Sequence, residues 1–336
     1  FYKGEPKIKR IEMEILPPSQ QVAAIKSGKY DLVFMASTDI FPEIEKFDNI
    51  NIATRKANYM NYIAFKLGKW DAEKNESIVN PNAKMYDINL RKAIAYAIDN
   101  DAIGEQFFHG LASTAKSQLS PSFPSLHNPD INGYRINIEK AKKLLDDAGY
   151  KDVDGDGIRE NKDGSKLTIN FAARTRDAAN ESLIQQYLIW WKEIGLDVQL
   201  YTGRTIESNN FYVKIQADDP EIDMFAGGWG TGYDPNPSNL FGETAKFNFA
   251  RYVNEKGTEI MKKISSTDAF DDTKNKEFYK EWQAYAKDEA FMIPTLVGDS
   301  VTAVNKRVKY YDTSIATSGS KSQVYQIELT SEDGAK

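Results

Sequence analysis

The sequence contains no cysteine among its 336 residues. Thiolate zinc sites, iron–sulfur clusters and cysteine nucleophiles are therefore excluded as sources of its function. The lack of cysteine fits an extracytoplasmic protein that folds without disulfides, and it fits many cytosolic proteins equally well. This absence restricts the chemistry of the protein but leaves its compartment open.

Histidine is almost as scarce, since only His109 and His127 are present. A histidine-based metal site or a Ser-His-Asp triad needs at least one of them. His109 precedes Gly110 at a predicted helix end, and His127 lies in a proline-rich loop. We expect ordinary surface or capping roles for both.

Long apolar runs and an excess of positive charge are also missing. No apolar stretch is long enough to span a bilayer. The net charge of −6 and the isoelectric point near 5.3 give no indication of a nucleic-acid or acidic-lipid partner. The chain begins at Phe1 without a methionine, which we interpret as a processed or cut end.

What the sequence does have is an alternation of strand and helix patterns. Ile8–Leu16 alternates apolar and charged residues, as a half-buried strand does. Gln20–Ser27 is predicted as a helix that begins with Ser19 as N-cap and ends at Gly28. The further predicted strands are 30–35, 61–67, 167–172, 196–201, 222–226, 293–297 and 300–305, and the further helices are 87–100, 101–108, 138–148, 178–194, 258–265 and 274–288. Asp87 is the predicted N-cap of the helix at 87–100, and Gly149 is the predicted end of the helix at 138–148. This alternation predicts an α/β fold with mixed sheets.

An acidic run offers a possible cation site. Asp152, Asp154 and Asp156 alternate with other residues, and Asp163 falls where a closing acidic ligand of a calcium loop would be. The run departs from that loop because Ile158 directly follows a glycine and because no helix pair flanks it. A calcium loop and an acidic hairpin turn both remain open at this point.

The stretch Gly227–Gly242, GGWGTGYDPNPSNLFG, follows a predicted buried strand and is rich in glycine. A phosphate loop is disfavoured because prolines, rather than a helix, follow the glycines. Bare backbone at the end of a strand pairs well with a ligand that has its own main chain, such as a peptide. Trp229 and Tyr233 add flat apolar surface, and Asp234 supplies a negative charge. The alternative is a structural loop with Trp229 in the core.

A carboxylate pair, Asp218 and Asp219, raises the alternative of a hydrolase dyad. Pro220 follows the pair directly, so we interpret the two residues as part of a solvated turn.

Five segments of the chain carry a resemblance to one family. They are AAIKSGKYD at 23–31, DINLRKAIAYAIDND at 87–101, AKKLLDDAGY with the following DGDG at 141–157, the Trp191-Lys192 to Ile194-Gly195-Leu196 turn within 188–198, and Asp223-Met224-Phe225 with Gly228-Trp229. In this order the five segments resemble the peptide- and nickel-type solute-binding proteins of ABC importers (family 5), and especially the oligopeptide-binding lipoproteins. Together they extend over nearly the whole chain.

The resemblance implies a two-lobed, periplasmic-binding-protein-like fold (type II, cluster C) whose lobes close on a ligand. Residues 1–45 are then the last part of the first lobe, residues 46–302 the ligand-binding second lobe, and residues 303–336 a return segment to the first lobe. It also implies that an N-terminal portion with a lipid anchor is absent from this chain. The implied protein is a monomeric, non-enzymatic, extracytoplasmic receptor that is held at the cell membrane and delivers oligopeptides to permease subunits.

The resemblance also implies ligand-binding residues. Enteric relatives place an aspartate, which anchors the peptide ammonium, at the position that Gly232 occupies here, and the nearest acid is Asp234. The pattern is more similar to Gram-positive relatives with glycine-rich loops. The resemblance implies ligand contacts only around this loop, where the candidate residues are Trp229, Gly230, Thr231, Gly232, Tyr233 and Asp234. Arg174, which follows the predicted strand at 167–172, and Asn61 and Tyr62 are further candidates for positions in the ligand cleft, with an ordinary surface position as the alternative. A receptor for another small solute or a signalling peptide is the alternative within the family.

Overall fold

The computed structural model describes residues 4–176, 178–312 and 324–335, and the chain divides into two compact units. Unit 1 comprises residues 1–58, 104–112 and 298–336, and unit 2 comprises residues 59–103 and 113–297. Each unit contains helices and strands, in agreement with the predicted α/β class. The lobe boundaries at residues 45 and 302 stay a prediction, and residues 313–323 of the predicted return segment lie outside the described residues.

The strands of the described residues vary widely in length, from two residues to sixteen. They are β1 (Leu32–Ala36), β2 (Ile50–Phe65), β3 (Gly68–Asp71), β4 (Glu76–Val79), β5 (Ala112–Thr114), β6 (Thr168–Ala172), β7 (Asp197–Leu200), β8 (Met224–Gly230), β9 (Met292–Asn305), β10 (Val308–Lys309) and β11 (Glu328–Leu329).

The helices of the described residues include several of three turns or more. They are α1 (Pro18–Ser27), α2 (Phe41–Ile44), α3 (Ile88–Tyr96), α4 (Asn100–Phe108), α5 (Ile138–Ala148), α6 (Ala178–Glu193), α7 (Ser208–Gln216), α8 (Ser238–Phe241), α9 (Glu255–Ile264) and α10 (Asp272–Glu289), with short 3₁₀ turns at Thr38–Ile40, Lys84–Tyr86, Tyr201–Gly203, Thr267–Phe270 and Val324–Gln326.

In unit 2, the C-terminal half of β2 begins a run of neighbouring strands in the order β2, β8, β6, β7. β2 and β8 are antiparallel, from Tyr59 opposite Gly230 to Phe65 opposite Met224. β6 is parallel to both β7 and β8. Helix α6 covers this part of the sheet with the fully buried Trp191. Its ring lies 5.1 Å, edge-on, from that of Phe171 in β6, so the helix fixes the strand that leads to the candidate site.

In unit 1, β1 pairs antiparallel with the last residues of β9, with Val33 opposite Ala303. Helix α1 packs on these strands through Ile25, which belongs to one buried apolar cluster with Val33, Ile44, Ile50, Val301 and others. The helix ends at Gly28, whose φ of +70° is the left-handed conformation that glycine adopts without strain.

Most of the predicted elements are confirmed, together with the predicted Asp87 N-cap of α3, whose carboxylate accepts the Asn89 N–H at 2.8 Å. The strand predicted at Ile8–Leu16 is wrong. The structure has no strand there, and Ile11, Met13 and Ile15 are 63%, 91% and 97% exposed. Alternation makes a strand only where a neighbouring strand pairs with it and a core covers its apolar face. Among the described residues no strand pairs with this segment, and only its ends, Ile8 and Leu16, pack against apolar clusters.

Two further predictions need correction. Ser19 is not the N-cap of α1, because the helix begins at Pro18, a residue whose fixed φ suits the first helical turn. The two strands predicted at 293–297 and 300–305 form the single strand β9, since Gly298 continues the extended backbone between them.

Candidate functional site

The predicted ligand loop begins as part of a strand. β8 extends through Gly227, Gly228, Trp229 and Gly230, four residues beyond the expected end at Ala226. Each of these residues lies opposite a residue of β2, in a register that places Gly227 against Tyr62 and Gly228 against Asn61. The glycine-rich segment is therefore held rigidly up to Gly230.

Two of the three glycines of β8, Gly227 and Gly228, make room for tyrosines of β2. A Cβ atom on Gly227 would lie 2.6 Å from ring atoms of Tyr62, and a Cβ on Gly228 would collide with the hydroxyl of Tyr59. Neither glycine has a positive φ. Close packing of side chains against bare backbone, rather than backbone freedom, therefore explains these glycines.

Trp229 is half-buried and begins a row of contacting rings. Its ring centroid lies 5.4 Å from that of Phe247, which is 48% exposed. The row continues from Phe247 to Phe249 at 6.0 Å, from Phe249 to Tyr212 at 6.5 Å, and from Tyr212 to Phe211 at 5.2 Å. We call these five rings the aromatic row. Phe211 and Phe249 are buried, so the apolar surface of low side-chain entropy consists of Trp229, Phe247 and Tyr212.

Arg174 lies at the other end of this row, just past β6. Its guanidinium carbon is 5.4 Å from the ring centroid of Tyr212 and 5.9 Å from that of Phe211. Its Nη2 atom is 3.5 Å from the hydroxyl oxygen of Tyr59, a weak contact. Among the described residues, no carboxylate lies within ion-pair distance of Arg174. This positive charge is thus available to an anionic group of a ligand.

Tyr62 and Asn61 are placed differently from each other. Tyr62 is only 6% exposed. Burial raises the pKa of its hydroxyl well above the ordinary value, while the nearby charge of Arg174 opposes that rise. Tyr62 is therefore a neutral packing residue beside the site. Asn61 is half-buried opposite Gly228, so it lies next to the backbone that we expect to contact ligand.

Beyond Gly230 the chain leaves the sheet as a turn. Thr231 is half-buried, Gly232 adopts a φ of +61°, and Tyr233 is 91% exposed. The exposed Asp234 accepts the backbone N–H of Asn236 at 3.0 Å through one carboxylate oxygen. The structure therefore brings Arg174, Asn61, Tyr62, Trp229 and Gly230 to the end of β8, whereas Tyr233 and Asp234 lie on the exposed turn that follows.

Sequence reasoning missed Tyr59, Tyr212 and Phe247. Two of them could have been predicted from alternating patterns: Tyr59 from Tyr59-x-Asn61 along β2, and Phe247 from Phe247-x-Phe249. Tyr212 lies on α7 in a segment that was not predicted as a helix, so its approach to Arg174 depends on tertiary packing.

The carboxylate pair does not form a solvated turn. The side chain of Asp218 is only 9% exposed and pairs with two buried cations, Lys66 and Arg251. Its Oδ1 accepts the Arg251 Nε–H at 2.9 Å, and its Oδ2 accepts the Trp70 N–H at 2.7 Å. Asp219 pairs separately with Lys214 at 2.9 Å. Both carboxylates are engaged in ion pairs that hold the fold, which gives no support to a hydrolase dyad.

The acidic run forms a compact exposed turn. One oxygen from each of Asp152, Asp154 and Asp156 lies within 4.8 Å of the others, while Asp163 is not part of this cluster. The Asp152 carboxylate accepts the backbone N–H groups of Gly155 and Gly157, at 2.7 and 2.9 Å. The turn is thus supported by its own hydrogen bonds.

Both histidines lie outside the helices and strands. His109 follows α4 with a φ of +51° and is exposed. His127 is half-buried in the loop predicted for it, and burial lowers the pKa of its imidazole. Over the described part of the chain, every helix is too short or too polar to cross a membrane.

Comparison with known proteins agrees with this architecture. Residues 1–250 match the model of the bacterial extracellular solute-binding proteins, family 5 middle region. The oligopeptide-binding protein OppA of Lactococcus lactis subsp. lactis (strain IL1403) is 31% identical over 312 residues, which are 92% of this chain and 52% of that protein. The oligopeptide-binding protein AppA of Bacillus subtilis (strain 168) is 26% identical over 300 residues, 87% of this chain and 51% of that protein.

A solved structure gives the same result. Lactococcal OppA, complexed with an endogenous peptide in the closed conformation, superposes with a TM-score of 0.83 at 28% identity, over 93% of this chain and 58% of that one. The chain spans about half the length of the curated relatives it matches. The likeness confirms the predicted fold of the binding-protein type. By family model, sequence and structure alike, the chain belongs to the family 5 bacterial extracellular solute-binding proteins.

Proposed function

We propose that this chain is the peptide-recognising part of a receptor that captures oligopeptides and delivers them to an ABC importer. The observation that carries the proposal is the free strand edge at the end of β8. The β6–β8 ladder stops at Ala172 opposite Phe225. Beyond that point β6 turns away, since Ala173 accepts the Ile206 N–H at 2.8 Å instead.

The backbone of residues 226–230 consequently has strand pairing from β2 on one side only, within the described residues. An extended peptide adds to such an edge through main-chain hydrogen bonds, which give affinity without demanding a particular sequence. The aromatic row and Arg174 flank this edge. They supply stacking surface for apolar side chains and a positive charge for a carboxylate.

The relatives support the same conclusion. OppA and AppA are described as oligopeptide-binding proteins, and the structure of lactococcal OppA contains a peptide. By analogy we propose a non-enzymatic, extracytoplasmic receptor of Gram-positive type that is monomeric, is held at the membrane by a lipid anchor, and docks on permease subunits.

Native mass spectrometry of the full-length protein incubated with a mixed peptide library tests the proposal. We expect bound, uncleaved peptides of varied sequence. Cleaved products would instead indicate a hydrolase. A bound solute that is not a peptide would indicate the alternative within the family, and the absence of any peptide mass would contradict peptide capture.

A further inference from the structure

In unit 1, the backbone of a C-terminal segment of the chain is bound by side chains and backbone of other segments of the same unit. Residues 331–335, which we call the strap, follow β11 and approach the turn between α1 and β1. Asn305, at the end of β9, forms hydrogen bonds with both the backbone N–H and the backbone carbonyl of Ala335. The Ala335 N–H donates to Asn305 Oδ1, and Asn305 Nδ2 donates to the Ala335 carbonyl oxygen, both at 3.0 Å.

A second buried asparagine strengthens this grip. Asn49 Nδ2 donates to the same Ala335 carbonyl at 3.1 Å, and also to the carbonyl of Ile25 in α1 at 2.9 Å. Asn305 and Asn49 are only 1% and 5% exposed. Leaving a buried amide without a hydrogen-bond partner costs the desolvation free energy of that group. By bonding to both asparagines, the strap therefore stabilises the site that it fills.

Two glycines bring the backbones into direct contact. A Cβ atom on Gly334 would lie 2.9 Å from the carbonyl carbon of Gly28 and closer still to its oxygen. A Cβ on Gly28 would lie 3.1 Å from the carbonyl carbon of Ala335 and again closer to the oxygen. The close approach of the strap to the α1–β1 turn is therefore possible only because residues 28 and 334 both lack a side chain.

Arg307 holds the beginning of the strap. Its Nε donates to the Asp31 carboxylate at 2.6 Å, its guanidinium also donates to the carbonyl of Glu332, and its carbonyl accepts the Thr330 N–H at 2.8 Å. The α1–β1 turn is thereby tied to the strap at Asp31 as well as at Gly28.

We propose that the strap holds the α1–β1 turn against the end of β9 through contacts to its backbone, and we call this set of contacts the latch. Its release frees that turn while the apolar core of unit 1 stays packed, because the residues of the latch are not members of the apolar cluster around Ile25 and Val33. The side chains of the exposed strap residues Glu332 and Asp333 take no part in the fastening.

Amide hydrogen exchange of the full chain tests the latch. Gly334→Val blocks the close approach without touching a core residue, and Asn305→Asp replaces the donor to Ala335 with an acceptor. We expect both variants to accelerate exchange in residues 26–31, the end of α1 and the α1–β1 turn, by at least about tenfold. Strand β1, whose Val33 and Ala36 belong to the apolar cluster, should keep its wild-type exchange rates. Asp333→Ala is the matched control and should change neither segment. Wild-type exchange rates in residues 26–31 of Gly334→Val would overturn the proposal, even if Asn305→Asp fails to fold.

A second experiment supplies the strap in trans. A chain shortened to end at Thr330 is mixed with the synthetic peptide Ser-Glu-Asp-Gly-Ala-Lys or with the same peptide carrying valine in place of glycine. We expect only the glycine peptide to restore protection of residues 26–31. Equal effects of the two peptides would contradict recognition through the glycine backbone.

Discussion

The ring of Tyr62 occupies the space in which a side chain on Gly227 would lie, with only 2.6 Å between the position of that Cβ and the ring atoms. An aromatic ring of β2 thus packs directly against the backbone of its neighbouring strand, β8. The same arrangement recurs one residue along β8, where the Tyr59 hydroxyl lies against Gly228. This packing positions both the free edge of β8 and the hydroxyl that Arg174 approaches.

Replacing Gly227 with alanine is expected to displace Tyr62, since the ring cannot move into the core that already contains Phe225, 6.2 Å away. Forcing a methyl group into a packed site costs about 1–3 kcal/mol. We expect urea denaturation to show a lower midpoint, corresponding to a free energy of unfolding that is lower by that amount, and we expect weaker peptide binding. Gly298→Ala in β9 is the control, because its nearest neighbour is the Leu111 carbonyl oxygen at 4.0 Å. Equal midpoints for the two variants would refute this account.

Arg174→Ala is expected to weaken peptide binding by removing the guanidinium beside the free edge. A hydrogen bond to a charged group contributes about 1.5–3 kcal/mol, which corresponds to a roughly 10- to 100-fold rise in Kd. Isothermal titration calorimetry at low and high salt measures the effect, and the difference between wild type and variant should shrink as salt rises. The neighbouring exposed Arg176 provides the control. If Arg176→Ala and Arg174→Ala weaken binding alike, a general loss of positive charge is responsible instead.

These two predictions differ in how much of their basis is visible in the sequence. Arg174 was identified because it follows a strand pattern, and the apolar run at 222–226 predicted the beginning of β8. The continuation of β8 through its glycines was not predicted, because glycine has a low intrinsic preference for strands. What stabilises those residues is the pair of tyrosines on β2, which are distant in the sequence.

The aromatic row shows the same limit. Trp229 was expected to form a ligand surface, but its contact with Phe247 depends on how the chain returns to β8 after α8. Likewise, the alternating pattern of Ile8–Leu16 specifies side-chain faces and not a pairing partner. Local signals thus predicted elements and their ends, including Asp87, Gly28 and Gly149, while contacts between distant segments decided the site.

Calcium is expected to leave the melting temperature unchanged. The Asp152 carboxylate already accepts two backbone N–H groups, and Asp163 accepts the Ser165 hydroxyl at 2.6 Å instead of joining the cluster. The turn therefore needs no cation to hold its shape. Differential scanning fluorimetry with calcium and then with EGTA measures this directly. A rise in Tm that EGTA reverses and that Asp154→Asn abolishes would identify a calcium site.

Removing Asp218 is expected to destabilise the protein far more than removing its neighbour. Asp218→Ala leaves the buried cations Lys66 and Arg251 facing each other without their shared carboxylate, and breaking such a pair costs about 3–5 kcal/mol. Asp219→Ala is the control. It breaks a pair with a half-exposed lysine and a hydrogen bond from Tyr201, for which we expect about 1 kcal/mol.

The pH dependence of this difference provides a second check. Burial lowers the pKa of Lys66 to about 8, although Asp218 opposes the shift. Because Asp218 raises the pKa of Lys66, the lysine of the Asp218→Ala variant loses its proton at a lower pH than that of the wild type. The variant therefore loses the unpaired charge of Lys66, and its repulsion with Arg251, at pH values where wild-type Lys66 is still protonated. The difference in the free energy of unfolding between wild type and Asp218→Ala should shrink as the pH rises towards about 8 and stay constant above it. A difference that does not change below about pH 8 would mean that Lys66 of the variant keeps its proton and that its charge is balanced by groups other than Asp218.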